Sequence, residues 1–123
     1  MLSEIVLVAR EHYEKTMYTD TCNIIEHIKS KIDGVATFGD SVVATNEPCR
    51  ISASSLKANE QSISSAEIGQ SIKLFISPDI TINEGSKIVV TREGKTLQYK
   101  ASGKPMIYPT HQEIMLIPFE RWA

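Results

Sequence analysis

Residues 68–79 read Ile68-Gly69-Gln70-Ser71-Ile72-Lys73-Leu74-Phe75-Ile76-Ser77-Pro78-Asp79. Ile72, Leu74 and Ile76 alternate with Ser71, Lys73 and Phe75, the period of a strand with one face in a core. Pro78-Asp79 ends it, because proline brings no amide hydrogen to a sheet ladder. Downstream, Lys87–Arg92 carries Ile88-Val89-Val90, and Glu93-Gly94 supplies a hairpin turn into Lys95–Lys100. Ile80 and Ile82 alternate around Thr81, Asn83-Glu84-Gly85 and Ser102-Gly103-Lys104-Pro105 read as turns, and Gln112–Pro118 is the last strand.

Upstream, Thr19–Lys29 alternates loosely as a first strand, with His27 near its end. Asp33-Gly34 and Gly39-Asp40 read as turns around Val35–Phe38. Ser41–Thr45 is a short run closed by Asn46-Glu47-Pro48, and Cys49–Ser54 follows as a strand. Leu2, Ile5, Val6, Ala9, Tyr13 and Met17 recur at three- and four-residue spacing and predict a helix over residues 2–17, with Ser3 as N-cap and Glu4 in the first turn. The expected class is mainly β: a small β-barrel of short antiparallel strands with an N-terminal α-helix, in one domain over 1–123. Pro78, Pro105, Pro109 and Pro118 are expected at strand ends and edges.

Aromatic residues make up only 7% of the 123-residue chain, so the core must rest on Ile, Val and Leu. The formal net charge is −2 and no dense Lys/Arg run occurs, which argues against a module that grips nucleic acid. Cys22 and Cys49 fall on neighbouring strands. They could meet as a pair, but two cysteines are too few for a secreted disulfide framework, and two small buried hydrophobes in a reducing compartment is the favoured reading. The first ten residues lack the basic start of a signal peptide. No run reaches the roughly 18 apolar residues of a membrane span.

No site chemistry declares itself. His12, His27 and His111 stand apart, at no spacing that a metal requires. No GxSxG elbow and no phosphate-binding glycine loop is present. Glu11 and Glu14 are three apart on the helix, which is normally a solvated face. The expectation is no catalytic residue, no metal and no cofactor. The anomalous part is 54–67, Ser-Ser-Leu-Lys-Ala-Asn-Glu-Gln-Ser-Ile-Ser-Ser-Ala-Glu, too poor in apolar residues to offset its own ordering entropy. So long a connection in a compact domain is generally functional or disordered.

An ordered set of short motifs runs through the chain: Tyr18-Thr19, Cys22, Glu47-Pro48-Cys49-Arg50-Ile51-Ser52, Lys73-Leu74-Phe75-Ile76-Ser77-Pro78-Asp79-Ile80, Ile82-Asn83-Glu84-Gly85-Ser86-Lys87-Ile88, Gly103-Lys104-Pro105, Tyr108-Pro109-Thr110-His111-Gln112-Glu113-Ile114 and Trp122-Ala123. Over residues 18–123 it resembles the head–tail connector stopper (head-closure) and minor capsid proteins of Gram-positive bacteriophages and prophages. That resemblance implies a structural virion protein of the neck, assembled in the host cytoplasm and not an enzyme. It implies a homo-oligomeric ring, hexamer or dodecamer, between adaptor and portal proteins on the head side and a tail terminator or tail tube on the tail side. Packaged DNA passes through the ring's channel without specific binding. The 54–67 segment then corresponds to a projecting channel loop that helps retain DNA, with Ser55, Leu56, Lys57, Asn59, Glu60, Ser62, Ile63, Ser64 and Glu67 as its site residues. Six copies would carry −12 and twelve −24, a sign that resists sticking to phosphate. The competing readings are another connector or tail subunit (adaptor or tail terminator) and a small β-barrel ligand-binding or enzymatic domain.

Overall fold

The computed structural model describes residues 3–55 and 70–122. A helix, α1 (Glu4–Thr16), precedes six strands: β1 (Asp20–Ile32), β2 (Val35–Ser55), β3 (Gln70–Ile76), β4 (Lys87–Arg92), β5 (Lys95–Ile107) and β6 (Gln112–Pro118). They close into an antiparallel barrel in the order β1-β2-β3-β6-β5-β4, with β4 returning to β1. Closure removes the open sheet edges from the barrel wall.

The alternation does what it predicted. Leu74 and Ile76 of β3, Ile88 and Val90 of β4, and Ile114 and Leu116 of β6 point inward and are buried. Cys22 and Ile24 of β1, Cys49 and Ile51 of β2 and Ala101 of β5 join them, and Ile82 packs in from the β3–β4 connection. A barrel this small is filled by side chains. The fully buried hydrophobic set contains no aromatic residue, in line with the composition. Both cysteines belong to it as free thiols. The thiol–thiol hydrogen bond with Cys22, with burial added, pushes the Cys49 thiol far above its ordinary range.

Two hairpins turn in two residues. Asp33-Gly34 joins Ile32 to its cross-strand partner Val35, and Glu93-Gly94 joins Arg92 to Lys95. All four turn residues have positive φ (53°, 79°, 51° and 78°), the left-handed pair that matches the twist of a hairpin.

Three other turn signals are not chain reversals. Gly39 and Asp40 lie inside β2, paired with Ile28 and His27, so His27 sits within β1 and not near its end. Asn46-Glu47-Pro48 also lies inside β2, at a break in register opposite Cys22–Ile24. Asn46 takes a φ of 51° there, and its amide donates to Asn23 Oδ1 at 2.8 Å in place of a ladder partner. Ser102–Pro105 is a bulge inside β5, between the pairs Ser102–Met115 and Met106–Glu113, with Gly103 at a φ of 76°. The bulge accommodates Pro105, which has no ladder hydrogen to give, within a strand and away from an end. Ile80–Ile82, which alternates around Thr81, is an irregular connection. Several strands are therefore long: β1 and β5 have 13 residues each and β2 has 21.

The length of β2 has a purpose. Its last third, Cys49–Ser55, pairs with β3, while the stretch from Val35 to Cys49 pairs with β1. β4 covers β1 only over Thr21–Ile25. Residues 26–32 of β1 and the facing start of β2 thus form a two-stranded arm that continues beyond the barrel wall.

Candidate functional site

Helix α1 begins where the sequence placed it. Ser3 Oγ accepts from the Val6 amide at 3.2 Å, and Glu4 occupies the first turn. Val6, Ala9, Arg10, Tyr13 and Met17 face the barrel, half-buried. Ile5, expected on that stripe, is instead 82% exposed, and Leu2 lies outside the described residues. The helix has one turn-offset apolar row on its own barrel and another, Ile5 and Val8, facing outward.

The anchoring of α1 is specific. Arg10 Nη1 meets Asp79 Oδ2 at 2.9 Å, and its Nε donates to the Pro109 carbonyl at 2.8 Å. Tyr13 stacks on the ring of His111 with centroids 5.0 Å apart, and Tyr108 stacks on His111 at 4.9 Å. His111 in turn bonds Thr110 Oγ1 through Nδ1 at 3.0 Å and Glu113 Oε2 through Nε2 at 2.9 Å. Lys73 Nζ reaches the other Glu113 oxygen at 3.1 Å. Hydrogen bonds from His111 and then Lys73 hold the Glu113 carboxyl below its ordinary range.

A hydroxyl, an imidazole and a carboxylate in line invite comparison with a nucleophile–base–acid relay. Here the imidazole is packed between two tyrosine rings, and the hydroxyl belongs to the adjacent residue, so the bond is local. The Glu113 carboxylate is shared with a lysine. The arrangement fastens the β5–β6 turn and the helix to the wall, and it presents no activated nucleophile.

Beside it lies a cavity of about 230 Å³ lined by residues including Arg10, Glu14, Tyr18, Glu47, Asp79 and Thr110. It is smaller than a usual small-molecule pocket of roughly 300–1,000 Å³. The Tyr18 hydroxyl is buried with no hydrogen-bond partner among the described residues, and burial, more than the neighbouring Tyr13, pushes its pKa up to about 12. Among the described residues no group of three or more His, Cys, Asp or Glu side chains is placed to hold a metal ion.

The arm is the other distinctive surface. Ile28 and Ile32 continue the inward phase of Cys22 and Ile24 past the end of the core, and Val35 stands opposite Ile32. All three are exposed. On the arm's outer face, His27 lies between Phe38 (centroids 4.9 Å) and Trp122 (4.7 Å), and Trp122 meets Phe119 edge-on. Lys87 Nζ sits 4.5 Å over the Phe119 ring. At the arm's root, the Ser86 hydroxyl donates to a Glu26 carboxylate oxygen.

Of the residues expected to line a channel, Ser55 is the last residue of β2, opposite Gln70, and Ser54 pairs with Ser71. The segment therefore begins later than position 54. Leu56, Lys57, Asn59, Glu60, Ser62, Ile63, Ser64 and Glu67 lie outside the described residues.

Sequence reasoning missed two polar residues with architectural roles. Gln112, 1% exposed, donates through Nε2 to the carbonyls of Ser77 (2.7 Å) and Ile80 (2.6 Å) and so fixes the segment that carries Asp79. Asp20, 3% exposed, accepts from the Ile51 amide at 3.1 Å and has Arg92 Nε 3.8 Å away. Both are in phase with inward apolar residues of their strands, a signal that was legible.

Fold and site together define a closed six-stranded antiparallel barrel with a docked N-terminal helix and a projecting arm. The solved structure of the XkdH protein of the phage-like element PBSX from Bacillus subtilis has a similar fold. It aligns over 80% of this chain and 93% of that one, with a TM-score of 0.51 and 14% identity. No family model and no curated protein matches the sequence.

Proposed function

We propose that the chain is a structural subunit of a phage or phage-like particle, and specifically the stopper, or head-closure, ring of the head–tail connector. The observation that carries the reading is the shared barrel with XkdH, which spans nearly all of that protein. The anchored helix, the bulged barrel and the exposed arm support it, since all of them build shape and contact surface. The ordered motifs of residues 18–123 bear on the stopper assignment in particular. In this reading copies form a ring between adaptor or portal and tail proteins, DNA passes through the bore, and the segment after Ser55, up to Glu67, faces the bore.

The test is a deletion of the gene in its parent element, with negative-stain microscopy of the particles and immunolabelling of the wild type. Label at the neck, and filled heads that lose DNA and fail to join tails when the chain is missing, are the expected results. Label on the tail or at the portal face would favour the terminator or adaptor reading. Particles that lack the chain and still join and retain DNA normally would overturn the proposal. Replacement of residues 56–66 by a short Gly-Ser linker tests the bore-facing segment separately: heads should assemble but leak. Normal retention would show that segment to be a tolerated surface connection.

A further inference from the structure

We infer that the segment after β6, Phe119–Trp122, is a clasp that steadies the β1–β2 arm, with Trp122 closing on His27. The inference stands apart from the function proposed above and is tested on the isolated chain.

The arm needs a hold. A two-stranded ribbon is at best marginal alone in water. β4 begins at Lys87, which pairs with Ile25, and beyond that pair β1 has β2 as its ladder partner. The inner face of the arm is tied at Glu26, which accepts from the Ser86 hydroxyl. Past that point Ile28, Ile32 and Val35 are exposed, so the inner face gives the arm no further support.

On the outer face, the segment after β6 takes over where the β4 ladder ends. The Phe119 amide donates to the Gln98 carbonyl of β5 at 3.1 Å, and Lys87 Nζ lies 4.5 Å over the Phe119 ring. These two contacts fix Phe119 beside the first residue of β4. Trp122 meets Phe119 edge-on, with centroids 5.1 Å apart and planes at 80°. It then stacks on His27 at 4.7 Å and 13°. Both spacings fall in the favourable range for ring pairs. The line Lys87–Phe119–Trp122–His27 thus runs from the last rung of the β4–β1 ladder onto the arm.

The arm side of the contact draws on both of its strands. His27 of β1 and Asp40 of β2 are cross-strand partners, with Asp40 Oδ1 3.4 Å from His27 Nδ1. Phe38 of β2 stacks on the other face of the imidazole at 4.9 Å and 6°. A grip on His27 is therefore a grip on the hairpin. The His27 side chain is 27% exposed and that of Asp40, across the ladder, is 57%, so the cover that Trp122 provides falls on the histidine. It follows that the outer face at His27 is not a free surface. A partner that seats there displaces Trp122, and one that takes hold of Phe119–Trp122 loosens the arm.

The test is hydrogen exchange on the full chain. A ring pair is worth a factor of about 2–13 in an equilibrium, and Trp122 makes one such pair with the arm. Trp122→Ala should therefore quicken exchange of the amides of residues 27–40 that bond across the arm by about 2–13-fold, through local opening. The amides of Leu74, Ile88 and Ile114 in the barrel wall should keep their rates. Trp122→Phe retains a ring and should recover much of the protection. Trp122 is the single tryptophan of the chain, so its emission reports the clasp from the other side. His27→Ala should move that emission to the red and raise its quenching by acrylamide, and His27→Phe should reverse both. Arm exchange within about twofold of wild type in Trp122→Ala, arm and barrel amides quickened by the same factor, or emission unmoved by His27→Ala would each overturn the inference.

Discussion

Gln112 offers the sharpest test of how the barrel holds its helix. Its amide nitrogen donates both hydrogens, to Ser77 and Ile80 carbonyls. Methionine has nearly the same length and no donor, so Gln112→Met leaves the packing and removes the two bonds. An orphaned buried carbonyl costs about 1–3 kcal/mol. Ser77 and Ile80 are half-buried, so some water reaches them, and the lower part of the range applies. The expected loss is about 2–3 kcal/mol. With an unfolding entropy of about 2.1 cal/mol/K per residue, a 123-residue chain loses roughly 4 °C in Tm per kcal/mol, or about 8–12 °C in all. Gln112→Glu adds a pH signature. A carboxylate facing two carbonyls is disfavoured, so its folded pKa rises above the unfolded value near 4.3 and stability falls as pH climbs from about 4 towards 7. Urea and thermal melts at pH 4 and 7 measure both effects. Hydrogen exchange of the α1 amides should quicken as well, because Asp79, the Arg10 partner, lies on the segment that Gln112 fixes. A loss below about 1 kcal/mol for the methionine variant, with a glutamate variant insensitive to pH, would refute the reasoning.

Tyr18→Phe removes a buried hydroxyl that has no partner among the described residues and should be neutral or stabilising by up to about 1 kcal/mol in urea melts. Glu113→Gln should flatten the acid limb of the stability curve: the folded pKa of Glu113 is depressed, so its contribution is present above pH 4.5 and lost as pH falls through the lower folded value, as melts between pH 2 and 6 would show. Cys22 and Cys49 should resist thiol reagents until the barrel opens, and replacing either by Ala should cost about 1–2 kcal/mol through lost packing, measured by labelling kinetics and by denaturant unfolding.

The parts of the fold written locally were readable. Ile72, Leu74 and Ile76, or Ile114 and Leu116, declare a face by period alone; Asp33-Gly34 declares a hairpin because few other pairs accept two successive positive φ values, and Glu93-Gly94 is marked by its glycine between two strand-like runs. The bulges were not readable, because Asn46 and Gly103 use the same left-handed conformation that a turn uses. Whether such a residue reverses the chain or kinks it depends on whether the strand beyond it still finds a partner, and in a closed barrel that partner is distant in sequence. Ile5 failed for a related reason: α1 carries two apolar rows one position apart, and the sequence alone does not say which row meets the wall.

The same distinction governs the surfaces. Alternation states that a face must be covered and is silent about what covers it. Leu74 and Ile32 are equivalent in pattern, each an aliphatic side chain in the inward phase of its strand. Leu74 is buried because β2 and β6 flank it and the barrel closes over it. Ile32 is exposed because β4 stops at Ile25 and the wall ends there. Gln112 and Asp20 are the converse, polar residues in the inward phase whose partners are backbone groups of other elements. An aliphatic residue in core phase outside the core, like a polar residue in core phase inside it, marks a place where the chain's own pattern is completed by something distant. For Gln112 that completion is the segment holding Asp79. For Ile32, 62% exposed, no described residue of the chain supplies it.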